Sequence, residues 1–134
     1  MTKFSKTISM IAAIIAAIIM LQTLYFKFSA APESVYIFTI LGLEPYGRIG
    51  IGVLELIASI LVLIPSSRIY GSILGFGIMG GAIFSHFTKL GIVVMNDGGY
   101  LFILCLTVIF ACGTCIYLEK DKVLLLAKKI LPFK

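Results

Sequence analysis

Residues 47–65 read GRIGIGVLELIASILVLIP. This run decides the fold. From Gly47 to Ile64 it is long and apolar enough for a helix to cross a ~30 Å hydrocarbon core, and Pro65 closes it. Yet Arg48 stands at its start and Glu55 in its middle. Seven residues are nearly two helical turns, so the two side chains share a face, roughly 10 Å apart along the axis. Gly52 and Ser59 continue that stripe, giving a small, polar face of the kind that packs inward in a membrane bundle. A direct contact between Arg48 and Glu55 is not expected across that gap.

Working outward, three further runs have the same character: Thr7–Phe26, Ile69–Phe87 and Gly99–Leu118. Their continuous apolarity lacks the alternation of barrel strands, and in lipid only helices or closed barrels satisfy the backbone. The whole chain is 60% hydrophobic and 13% charged in 134 residues, which a soluble domain this small does not sustain. The expected fold is all-α. A single domain over 1–134 forms a polytopic, antiparallel four-transmembrane-helix bundle, with a short outer interfacial helix and a C-terminal amphipathic helix. A cleaved leader ending near the SAAP of residues 29–32 is the rival reading of the first run. The length of that run and Lys27 just before the site favour a retained helix.

Basic residues set the expected orientation. Lys3, Lys6, Arg68, Lys120, Lys122, Lys128, Lys129 and Lys134 fall on one side, against Lys27, Arg48 and Lys89 on the other. Both termini are therefore expected in the cytoplasm of a cell with a multi-pass protein in its inner or plasma membrane. The net charge of +5 reads as contact with anionic lipid, since no basic patch interleaved with aromatics points to nucleic acid. Residues 27–45 are too apolar for a free loop. Ser29 reads as the cap of a short helix, with Pro32 and Glu33 near its start and Gly42 at its end. Residues 119–134 place Lys122, Lys128 and Lys129 opposite Val123, Leu126, Ile130 and Leu131, which suits a helix lying on an anionic leaflet.

With that orientation, three helices put polar groups in their outer halves: Gln22, Tyr25 and Lys27 from the first, Arg48 and Glu55 from the second, His86 from the third. These six are the candidate ligand-binding residues, with Tyr46 beside Tyr25 at the entrance. A buried hydrogen-bonding staple is the competing role for Glu55, which is expected either protonated or paired with Lys27 or Arg48. A snorkelling anchor is the competing role for Arg48. One His without clustered Cys or a second His gives no metal site, and no residue is assigned a catalytic role. Gly71 and Gly75 form one GxxxG step, and Gly77 and Gly81 another on a second face, so close approach is expected on two sides of the third helix. Cys112 and Cys115 form a CxxC. They are the candidate redox pair, but they lie deep in the fourth run without an evident electropositive neighbour, so packing is the expected role.

The stretch FKFSAAPESVYIFTILGLEPYGRIGIGVLELIASILVLIP, followed by GAIFSHFTKLG, resembles the DoxX-like family of small four-helix membrane proteins. The G-R-x-G-x-x-x-x-E pattern before an apolar run and Pro is its most specific part. The resemblance implies an antiparallel membrane bundle, with Arg48, Glu55 and His86 as pocket residues. It also implies a quinone as ligand and a membrane redox complex as partner context, with the chain as a quinone-associated subunit rather than a self-contained enzyme. The CxxC does not belong to the family pattern. The functional expectation is an outward-facing, polar-capped pocket for a lipid- or quinone-like molecule. The alternative is an accessory subunit or assembly factor of a membrane redox complex, in which the polar cluster is structural or binds a partner.

Overall fold

The structure, a computed structural model, describes residues 1–131. The last three residues of the expected amphipathic tail, Lys134 among them, lie outside the described residues. Among the described residues the chain is all-helical. Four segments are long and apolar enough to cross a membrane: Lys3–Phe28, Tyr46–Leu63, Arg68–Leu90 and Tyr100–Leu118. They differ from the runs read in the sequence mainly at their ends, where charged residues extend the helix beyond its apolar part.

The first segment is α1 (Lys3–Phe28), begun by Thr2, whose hydroxyl accepts the Ser5 N–H at 3.0 Å. Ser29 ends α1, bonding back to the Tyr25 carbonyl, and does not cap the next helix. That next helix, α2 (Pro32–Ile40), starts with Pro at its first position, where a missing N–H costs nothing. Gly42, at φ +73°, turns the chain after it, a conformation that glycine adopts without a Cβ clash. Then come α3 (Tyr46–Leu63) and α4 (Arg68–Ser85), separated by a tight turn. Residues His86–Leu90 continue α4 as one π-helical turn. Finally α5 (Tyr100–Leu118) leads almost directly into α6 (Lys120–Ile130).

The four long helices contact each other in a ring: α1 with α3, α3 with α4, α4 with α5, and α5 with α1. α2 touches α1, α3 and the π-helical turn, so it crosses one end of that ring. The interior is built from small residues. Ala13, Ala16 and Ala17 of α1, Ala58 of α3 and Cys112 of α5 are buried around Met20, Val62 and Val108. Ile11, Ile14, Ile18, Ile57, Ile60, Phe76 and Phe110 point outward. A bundle with serines, an arginine and a glutamate inside, and Ile and Phe outside, has its surface polarity reversed from that of a water-soluble domain.

Gly71 shows how close the helices come. A Cβ there would collide with the α3 backbone, 2.8 Å from the Ala58 carbonyl oxygen. A Cβ at Gly75, one turn on, would stand 3.0 Å from Cys112 Sγ of α5 and close to Met20 of α1. This GxxxG step therefore serves two different neighbours. The second one corrects the sequence reading: nothing lies within 4 Å of a Cβ built at Gly77 or Gly81. Their face is turned away from the other helices of the chain.

Candidate functional site

The Arg48–Gly52–Glu55–Ser59 stripe of α3 is buried, as its spacing predicts. Glu55 is only 3% exposed. Its Oε2 lies 2.9 Å from Lys27 Nζ, near the end of α1, and 3.3 Å from the Thr23 hydroxyl. Thr23 sits one turn before Lys27, so α1 presents both groups on one face. The hydroxyl points mainly at its own helix, 2.7 Å from the Met20 carbonyl, so Lys27 is the principal partner of the carboxylate. The carboxylate has two oxygens and the ammonium three protons, so the one contact at Oε2 does not exhaust the hydrogen-bonding capacity of either group.

Arg48 is not an exposed anchor. It is 6% exposed, and its Nε donates to both oxygens of Glu44, at 2.8 and 3.0 Å. Its Nη1 donates to the Lys27 carbonyl. That carbonyl belongs to the last turn of α1, where helix C-termini leave acceptors without intrahelical donors and the helix dipole favours a cation. Arg48 thus caps α1 from α3. Between the levels of Arg48 and Glu55, the Phe28 ring packs on Gly52, where an added Cβ would stand 2.8 Å from Phe28 Cε1. Two ion pairs separated by an aromatic ring occupy the gap between Arg48 and Glu55.

His86 is buried at the same end but on the α4–α5 side. Its Nδ1 lies 2.7 Å from the Gly91 carbonyl, and its ring meets Phe102 edge-on with centroids 5.4 Å apart. A carbonyl only accepts, so Nδ1 carries the proton and Nε2 is left as the free position. Asp97 stands at the entry to α5. Its Oδ1 accepts from the N–H groups of Val94 and Gly99, and its Oδ2 from Leu101.

Two candidates fall away from this site. Gln22 is exposed and Tyr25 is 73% exposed, because both turn away from the Met20–Leu24 stripe by which α1 meets its neighbours. Tyr46 is exposed as well. The two grooves identified in the structure lie elsewhere. One of about 330 Å³ runs between α1 and α5, lined by Ile11, Ile15, Phe110 and other apolar residues. The other lies beside α6.

The opposite end of the bundle holds a second buried polar group that the sequence does not announce. Arg68 donates from Nε to the Val62 carbonyl at 2.8 Å and from Nη2 towards Leu63, capping α3 as Arg48 caps α1. Cys115 donates to the Ser9 carbonyl at 3.5 Å. Cys112 and Cys115 are both free thiols and fully buried. Glu119 is 4% exposed, with Oε1 3.8 Å from Lys122 Nζ. Among the described residues its Oε2 has no hydrogen-bond partner, and the hydroxyls of Ser9 and Ser72 lie beside the Cys115 thiol without a well-formed bond to it. The only advance signal was that Arg68 and Glu119 each abut a predicted span.

The geometry thus defines an all-helical protein with four membrane-length helices and a buried polar network at each end. In comparisons with protein-family models, curated proteins and solved structures, the chain has no match.

Proposed function

We propose that the chain is a DoxX-like integral membrane protein. Its four long helices form an antiparallel bundle across the cell membrane with both termini cytoplasmic. α2 lies at the outer interface, and α6 lies on the cytoplasmic leaflet. The apolar outside of the bundle and the excess of basic residues at the start of α1, at the start of α4 and in α6 support this placement.

Within that frame the Lys27–Glu55 end holds a polar-headed amphiphile, a lipid or a quinone. One observation carries this reading. A buried carboxylate in the middle of α3 meets an ammonium from α1 through one oxygen, and the pair has more donor and acceptor capacity than that single contact uses. A charge at a helix centre in a membrane costs roughly 2.5–3.5 kcal/mol, and such residues mark functional sites more often than they add stability. A quinone or ester carbonyl fits the ammonium donors, and a headgroup hydroxyl fits the second carboxylate oxygen. A quinone bound here would supply two-electron redox chemistry. The chain's own residues would supply only hydrogen bonds and the exclusion of water.

Mass spectrometry of lipids extracted from gently purified wild type, Glu55→Gln and Lys27→Met tests the reading. Wild type is expected to retain one species that both variants lose. An identical lipid profile in all three overturns it.

The second reading, an accessory subunit of a membrane complex, is favoured by the uncovered Gly77 and Gly81 face of α4. Small residues on a membrane helix permit the close approach of another helix. Under this reading a partner protein copurifies with wild type and is lost with Gly81→Leu, while the lipid profile stays unchanged.

A further inference from the structure

α6 is amphipathic, and none of its residues is buried. A groove of about 190 Å³ separates it from the start of α4. Lys122 and Lys129 of α6 line it together with Ser66 and Tyr70 of the facing turn and helix, and Ile69 and Leu126 supply apolar lining. The two lysines are seven residues apart, nearly two turns, so they stand on one face about 10 Å from each other. Among the described residues no carboxylate lines the groove, and the buried Glu119 lies 3.8 Å from Lys122. The groove is thus positive, carries two hydroxyls, and opens beside apolar side chains.

We propose that this groove binds the headgroup of an anionic phospholipid and so fastens α6 to the α3–α4 turn. The proposal rests on the membrane reading above, but not on any ligand at Lys27–Glu55. Three features select the occupant. A phosphodiester supplies the negative charge that two ammonium groups attract. Headgroup hydroxyls match Ser66 and Tyr70. A headgroup bearing its own ammonium, as in phosphatidylcholine or phosphatidylethanolamine, meets like charge from both lysines. The volume is below the roughly 300–1,000 Å³ of pockets that enclose a whole drug-sized ligand. The headgroup therefore enters while the acyl chains stay in the bilayer beside Ile69 and Leu126.

Native mass spectrometry of the full chain, titrated with dioleoyl phosphatidylglycerol or dioleoyl phosphatidylcholine, tests the proposal. Wild type is expected to retain phosphatidylglycerol preferentially. K122Q/K129Q is expected to bind it roughly 30-fold more weakly, at about fivefold for each lysine near an anionic headgroup. K122R/K129R should keep the preference. K120Q/K128Q removes the same charge outside the groove and should stay within about twofold of wild type. Equal losses in the two glutamine pairs would show diffuse attraction only and overturn the proposal, as would equal retention of both lipids by wild type. A diazirine-bearing phosphatidylglycerol gives a reading that does not depend on variant folding. In wild type it should label peptides containing residues 66–70 and 122–129, and labelling spread evenly along the chain would sink the idea.

Discussion

Arg48 and Arg68 perform the same local task at opposite ends of α3, in different company. Each donates to carbonyls in the last turn of the preceding long helix. Around Arg48 the charges are closed on one another: Glu44 takes its Nε, and Lys27 takes Glu55. Around Arg68 they are not: among the described residues Glu119 Oε2 goes unpartnered, and two serine hydroxyls have the Cys115 thiol beside them without a well-formed bond. Burial alone therefore does not say what a polar group contributes. An ion pair resists the loss of either member, whereas a hydroxyl without a well-formed bond contributes little that its removal would take away.

That contrast can be broken in several places. Its largest test is the Lys27–Glu55 pair. Lys27→Met or Glu55→Leu alone leaves a buried charge without its partner and should cost about 3–5 kcal/mol. The double variant should recover most of this, as read by denaturant titration in detergent micelles. Additive losses would show that the pair does not act as a unit.

The two close-approach glycines come next. Gly71→Ala meets backbone that cannot give way and should cost about 1–3 kcal/mol. Gly52→Ala meets the Phe28 ring, which can rotate aside, and should cost less than about 1 kcal/mol. Equal melting temperatures for the two variants would contradict the distinction.

A smaller effect is expected at Asp97. Slight burial raises its carboxyl pKa, but hydrogen bonds from Gly99, Leu101 and Val94, helped by His86, outweigh this and hold it below the usual value. A carboxylate lowered on folding contributes above its unfolded pKa of about 4 and loses that contribution as the pH falls through the folded value. Asp97→Asn should thus melt slightly below wild type at pH 7, by under about 1 kcal/mol because solvent screens the site. The gap should narrow below pH 4, and a gap that widens on acidification would count against the cap.

The smallest effect separates the two ends most cleanly. Ser72→Ala removes a buried hydroxyl whose neighbour, the Cys115 thiol, is a weak hydrogen-bonding partner, and should leave stability nearly unchanged. A loss above about 1 kcal/mol would mean that Ser72 is firmly hydrogen-bonded after all.

The sequence revealed periodicity well and orientation between helices poorly. The four apolar runs and the Arg48–Gly52–Glu55–Ser59 face were legible because both follow from length and the 3.6-residue turn. Gln22 and Tyr25 were misread because nearness along the chain to Lys27 does not tell how α1 is rotated against α3. Glu44 was invisible as the partner of Arg48 because it precedes α3 in an irregular segment. Arg68 was read only as a basic residue that sets orientation, and Glu119 was given no role. Only the packing of α4, α5 and α6 shows that both turn inward, and that Cys115 lies near them. Ser29 was assigned to the wrong helix, since the same residue type that begins one helix can bond back to the last turn of another.

The Arg48–Lys27 contact has a consequence for tolerance to change. It fastens the two ends of residues 28–47, so the segment carrying α2 is a loop already closed at its base. For a flexible loop the entropy of closure rises only with the logarithm of length, about 0.6 kcal/mol for each doubling. Inserted residues around Gly42, beyond the reach of that clasp, should add little to the cost of holding α1 against α3.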